Sequence, residues 1–230
     1  MWAVSWICRW VPPGETDRVS DALAAGWLPV LLRAVRQYAA NADAAAAGLY
    51  ALSNIVFRSE AAHSDCLAGG VLRDLASMLQ TMPALRGPAA GLLANLLHVP
   101  DGSAPTRAAN LTAEVLASGV VPTLATLAAE TTGTDQKRAV IALSKLAQHP
   151  DCHEALLEAR VGDLFRRLAQ AHPDDASIEK FTIEKAQAGM AYLLGRDERW
   201  SAEVAQAHCL NLVLRRVDQC LGGDDSFARQ

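Results

Sequence analysis

Three groupings bring chemically active side chains close together in the sequence. His149-Pro150-Asp151-Cys152-His153 gathers imidazole, carboxylate and thiol donors of the kind that bind zinc. A closed zinc site needs four ligands, with a second cluster at suitable spacing, and the sequence holds no such cluster. The stretch reads instead as a loop and helix start with Asp151 as the N-cap. His63 and Cys66 stand at helical spacing, as an imidazole and thiol working together would. Cys66 falls on an apolar stripe, so a buried, inert thiol is expected. Asp174-Asp175 and Asp224-Asp225 lack the ligand series of a calcium loop and read as caps and solvated charge. There is no phosphate loop, dinucleotide glycine fingerprint or Gly-x-Ser-x-Gly elbow. The residues support no catalytic centre, no metal site and no cofactor.

The remaining polar groups suit recognition. Asn54 and Asn95 each offer an amide donor and acceptor, the pair that a peptide unit of another chain would need. Arg138, Lys145, Lys185 and Arg196 are cations with few acids around them, and helical spacing gathers them on roughly one face. That face would favour an acidic or phosphorylated segment. The bland alternative is a solvated helix face that binds nothing in particular. Trp2, Trp6 and Trp10 recur every four residues near the start, where a repeat array normally carries a polar cap. Such a surface suits docking into a larger assembly or self-association, unless the rings fold back on the helices of residues 18–38.

The elements that must position these residues repeat along the chain. One phrase is a small residue, a turn residue and then a leucine-rich run. It occurs at Ala25-Gly26, Gly69-Gly70, Ser118-Gly119, Ala159-Arg160 and Ala207-His208. The turn residues are spaced by 44, 49, 41 and 48 positions. A second phrase lies between them, with apolar residues at i and i+3, as in a helix burying one stripe. Its copies run over residues 50–56, 91–97, 141–147 and 188–194, and residues 2–8 fit the same frame. A shorter helix is expected ahead of each turn, near 18–25, 63–68, 109–117, 152–159 and 201–207. Glycine at the turn has a physical reason, since a sharp corner between helices often needs positive φ. Arg160 and His208 depart from that pattern. Pro29 and Pro122 fall in the first turn of the second helix, where a missing N–H is harmless.

Three helices per unit of about 40–47 residues, with glycine between the first and second, resemble the armadillo repeat more than the two-helix HEAT unit. The expected fold is therefore an all-α, right-handed armadillo-type solenoid of about five repeats. It would cover residues 1–221, opening on a half-repeat at 1–38 and followed by a polar tail at 222–230. Within that family, Trp2-x-x-x-Trp6, Tyr50-x-x-x-Asn54 and Gly91-x-x-x-Asn95 resemble the importin-α pattern Trp-x-x-x-Asn. The resemblance implies that the third helices line a concave groove. There the asparagine holds an extended peptide backbone and the aromatic stacks on lysine stems. Only Asn54 and Asn95 keep the amide, and positions 6, 145 and 192 are Trp, Lys and Tyr.

Composition agrees with helices and limits the function classes. Of 230 residues, 51% are apolar and only 5% aromatic, and strand-favouring runs are nearly absent. A net charge of −4 argues against a nucleic-acid binder, whose affinity would fall steeply with salt. No run approaches the roughly 18 apolar residues that cross a bilayer, so membrane insertion is not expected. Cys8, Cys66, Cys152, Cys209 and Cys220 are scattered and odd in number, the pattern of reduced thiols in an intracellular, cytoplasmic or nuclear protein. The start lacks the charge-first order of a secretory signal. The expected role is a scaffold or adaptor that holds a protein segment. An importin-α-like receptor for basic signals and a regulatory subunit of an enzyme are the alternatives.

Overall fold

The computed structural model describes residues 18–98, 105–170 and 180–194. Trp2, Trp6, Trp10, Arg196, the turn at His208, Cys8, Cys209, Cys220, both acidic pairs and the polar tail lie outside them. Among the described residues there are twelve α-helices, two short 3-10 turns and no strand. They fall into four units of three. The first unit holds α1 (Arg18–Ala24), α2 (Trp27–Gln37) and α3 (Ala42–Arg58). The second holds α4 (Glu60–Ala68), α5 (Val71–Thr81) and α6 (Arg86–Leu96). The third holds α7 (Pro105–Ala117), α8 (Val121–Glu130) and α9 (Gly133–Leu146), and the fourth α10 (His153–Glu158), α11 (Val161–Gln170) and α12 (Lys180–Leu194).

The corner between first and second helices is built the same way four times. Gly26, Gly70 and Gly119 have φ of 72°, 73° and 67°, and Arg160 adopts the same left-handed backbone at 55°. Each of these N–H groups donates to the carbonyl of a leucine three residues earlier: Leu23, Leu67, Leu116 and Leu157, at 2.9–3.0 Å. Arg160 therefore keeps the corner despite its side chain, at a strain that a Cβ imposes and glycine avoids. Asn41 and Ser59 cap α3 and α4 by accepting from the N–H groups of Ala44 and Ala62. The expected cap at Asp151 is absent. That residue lies inside the 3-10 turn Pro150–Cys152, and Cys152 takes the N-cap position without a side-chain bond.

The core follows from side-chain size. The second helices bury one leucine-rich stripe, such as Leu28, Leu31, Leu32 and Val35 of α2. The third helices pack against one another in the order α3, α6, α9, α12 and against their own second helices. They are therefore buried on several sides, and small residues such as Ala45, Ala47, Gly48 and Ala51 of α3 permit the close approach. Gly189 of α12 is the tightest case. A Cβ there would stand 2.4 Å from the ring of the fully buried Phe165. Among the described residues no single helix is long and apolar enough to cross a membrane; the pair Ala109–Ala117 and Val121–Glu130 passes that test only together and is bent by 77°.

Candidate functional site

The stacked third helices place equivalent residues in rows across four repeats. One row is Asn54, Asn95, Lys145 and Tyr192; the row one turn earlier is Tyr50, Gly91, Ile141 and Ala188. Asn54 and Tyr50 are half-buried on α3. Asn95 turns its amide inward: Nδ2 donates to the Ser53 carbonyl at 3.0 Å and to Ser53 Oγ at 2.8 Å, tying α6 to α3. Its donors are thus engaged within the solenoid, and the carbonyl end remains to face a partner.

Arg138 makes the longest reach on this face. From α9 it passes over Gly91 of α6 and arrives at Tyr50 of α3, with its guanidinium carbon 4.8 Å from the ring centroid. Its Nη1 donates to the Tyr50 hydroxyl at 3.3 Å and to Asp135 Oδ1 at 3.0 Å. Two glycines make this possible. A Cβ on Gly87 would overlap the Asp135 carboxylate, and one on Gly91 would lie 3.0 Å from Arg138 Cδ. Gly87 and Asp135 are site residues that the repeat phrases do not reveal. The available signal is a pair of glycines four apart inside a helix, which usually has a packing reason.

The C-terminal half of the face is cationic. Lys137 and Lys185 hold their ammonium groups over opposite parts of one approach to the Phe181 ring, 4.5 and 5.1 Å from its centroid. Lys145, in the asparagine row, is half-buried. Burial, and then the charge of Lys185, push its pKa down to about 8. Tyr192 is 41% exposed beside them. Lys137 and Phe181 were not singled out by the sequence, because neither occupies a repeated position.

The other chemically active groups are committed elsewhere. His63 Nε2 donates to the Leu96 carbonyl at 2.6 Å, and His153 Nε2 to the Ala147 carbonyl at 3.0 Å. Both histidines stand seven residues before their corner, and each ties a first helix to the end of a third. Cys66 and Cys152 are fully buried, and burial followed by the charge of a neighbouring aspartate pushes their thiols up to about 12 and about 11. Neither is a nucleophile at neutral pH. Burial lowers the His149 pKa, with Asp151 opposing in part.

The second helices carry a different device. Ten residues after each corner, Arg36 Nη2 donates to the Gly69 carbonyl at 2.5 Å and Gln80 Nε2 to the Ser118 carbonyl at 2.9 Å, fastening one repeat to the next. The equivalent third residue is Ala129, which has no donor. At that junction lies a groove of about 570 Å3 between α8 and α11, lined by Ala129, Ala159, Arg160, Arg166 and Arg167 among others. Asp163 sits in it. Burial would raise its pKa, but hydrogen bonds from Arg160 and Arg166 outweigh that and hold it below the usual carboxylate range.

Comparison with solved structures gives three similar arrangements. An engineered protein superposes with a TM-score of 0.71 at 19% identity, covering 94% of this chain and 80% of its own. A designed armadillo repeat protein in complex with a (KR)4 peptide gives 0.69 at 18%, with 94% and 82% covered. Computationally designed armadillo repeat proteins for modular peptide recognition give 0.69 at 18%, with 94% and 83% covered. The chain has the armadillo-repeat fold. At the level of sequence, no family model and no curated protein matches it. The armadillo likeness extends to the repeated corner and to the third-helix stack that carries Tyr50, Arg138 and Lys145. It is a fold suited to protein binding.

Proposed function

We propose that this armadillo array is a non-catalytic scaffold or adaptor whose third-helix face holds an extended partner segment, with acidic or phosphorylated residues of that segment at Lys145 and Lys185. The observation that carries the reading is Lys145. It replaces the amide of the asparagine row, is half-buried, and faces another ammonium, so an incoming anion would relieve both burial and repulsion. The designed neighbours support peptide binding on such a face in general. The (KR)4 ligand of one of them would meet Lys137, Lys145 and Lys185 here, and like charges across an interface oppose binding. A receptor for basic signals is therefore the weaker reading, and a regulatory subunit would use the same face. Trp2, Trp6 and Trp10 belong to the proposal as a docking surface for a larger assembly, on sequence grounds alone. So does an intracellular location.

Fluorescence anisotropy with labelled ten-residue peptides tests this. An aspartate- and glutamate-rich peptide should bind, more weakly as salt rises. Lys145→Ala with Lys185→Ala should weaken it by about tenfold or more. Tighter binding of a lysine-rich peptide, lost in Asn54→Ala and Asn95→Ala, would reverse the assignment.

A further inference from the structure

The Tyr50–Arg138 contact does more than join two repeats. Tyr50 and Arg138 are 88 residues apart, and the arginine crosses an entire intervening helix to reach the ring. An arginine used only for solubility would extend into water. This one is 24% exposed, and its stem lies in the trough left by Gly91. The guanidinium meets what a cation-binding site supplies: an aromatic face at 4.8 Å, a phenolic oxygen at 3.3 Å and a carboxylate oxygen at 3.0 Å. The carboxylate is itself seated in a hollow that exists because residue 87 is glycine.

We propose that Tyr50, Asp135 and the trough at Gly87 and Gly91 form a guanidinium-binding site, which the chain's own Arg138 fills as an internal ligand. Arg138 is then a specificity-determining residue of the inner face. It satisfies the aromatic and acidic groups that would otherwise attract an arginine or lysine of a partner. With Arg138 in place, the N-terminal half of the face offers no open cation site at Tyr50, and the net attraction of the face is left to the lysines of α9 and α12. The site itself does not depend on the acidic-partner reading; only its consequence for partner choice rests on that reading.

Removal of the internal ligand should expose the site to a soluble substitute. Arg138→Ala is expected to lower the unfolding temperature, and millimolar methylguanidinium should restore much of the loss. The same additive should leave the native chain unchanged and should not rescue Arg138→Ala combined with Tyr50→Ala. Arg138→Met, which keeps the stem over Gly91, serves the same comparison if the alanine variant does not fold. A (Lys-Arg)4 peptide should bind the vacated variant about tenfold more tightly than the native chain. Absence of methylguanidinium rescue, or equal rescue without Tyr50, overturns the site. Rescue with unchanged basic-peptide affinity overturns the specificity role alone, and neither result depends on whether an acidic peptide binds.

Discussion

The corner at Gly70 permits a clean test of why the repeat carries glycine. Its φ is 73°, and a Cβ added there would meet nothing within 4 Å. Gly70→Ala thus introduces backbone strain without a clash. A left-handed backbone costs a residue with a Cβ about 1–2 kcal/mol. Alanine returns about 0.4–1 kcal/mol by restricting the unfolded chain. The balance destabilises the fold by about 1 kcal/mol. Arg160→Gly reverses both terms at an equivalent corner with φ 55°, so its effect should have the opposite sign. Loss of the Arg160–Asp163 ion pair changes little, because the arginine is 81% exposed. Urea unfolding followed by circular dichroism measures both variants, and hydrogen exchange locates the change at the corner. A neutral Gly70→Ala, or an Arg160→Gly as destabilising as Gly70→Ala, would refute the argument that strain at the corner selects glycine.

Three other perturbations follow from particular contacts. Gly189→Ala should destabilise α12 by about 1–3 kcal/mol, because its Cβ would drive into the buried Phe165 ring; a Phe165→Leu background should recover part of the loss. Ala129→Gln should supply the missing fastening between the third and fourth repeats and stabilise the chain by about 0.5–1.5 kcal/mol, whereas Gln80→Ala should cost a similar amount. Lys145 gives a pH signature. Its folded pKa, about 8, is below the unfolded value of 10.5, so the unfolded chain binds more protons between them and stability rises with pH across that window. Lys145→Gln should flatten that rise. Acidic-peptide affinity should fall as pH passes 8, and an unchanged affinity at pH 9 would remove Lys145 from the contact.

The repeat was legible because its corner is a local event. A left-handed residue preceded by leucine at −3 recurs in the sequence itself, and the helices on either side follow from it. Even Arg160, which breaks the glycine pattern, sits in the same backbone bond to Leu157, because spacing and the leucine carried the register. The N-cap at Asp151 was misplaced for a local reason too: Pro150 began a 3-10 turn that moved the helix start two residues on. The site was less legible. Tyr50 and Arg138 belong to repeats one and three, and their meeting depends on what the second repeat leaves out at Gly87 and Gly91. The inward turn of the Asn95 amide depends on Ser53 of the previous repeat, 42 residues away. The partial burial of Lys145 comes from packing between α9 and α12, and a charge count contains no such information. The unfastened junction at Ala129 becomes visible only when Arg36 and Gln80 are seen reaching across theirs.

The central claim is that the third-helix face, and not the arginine-bearing groove between α8 and α11, receives an acidic segment. Both surfaces carry cations, so affinity alone would not separate them. Amide chemical shifts of the labelled chain titrated with an acidic peptide do. Binding on the third-helix face predicts perturbations centred on Lys137, Lys145, Lys185 and Tyr192. Perturbations centred on Arg160, Arg166 and Arg167, with Lys145 and Lys185 unmoved, would contradict it.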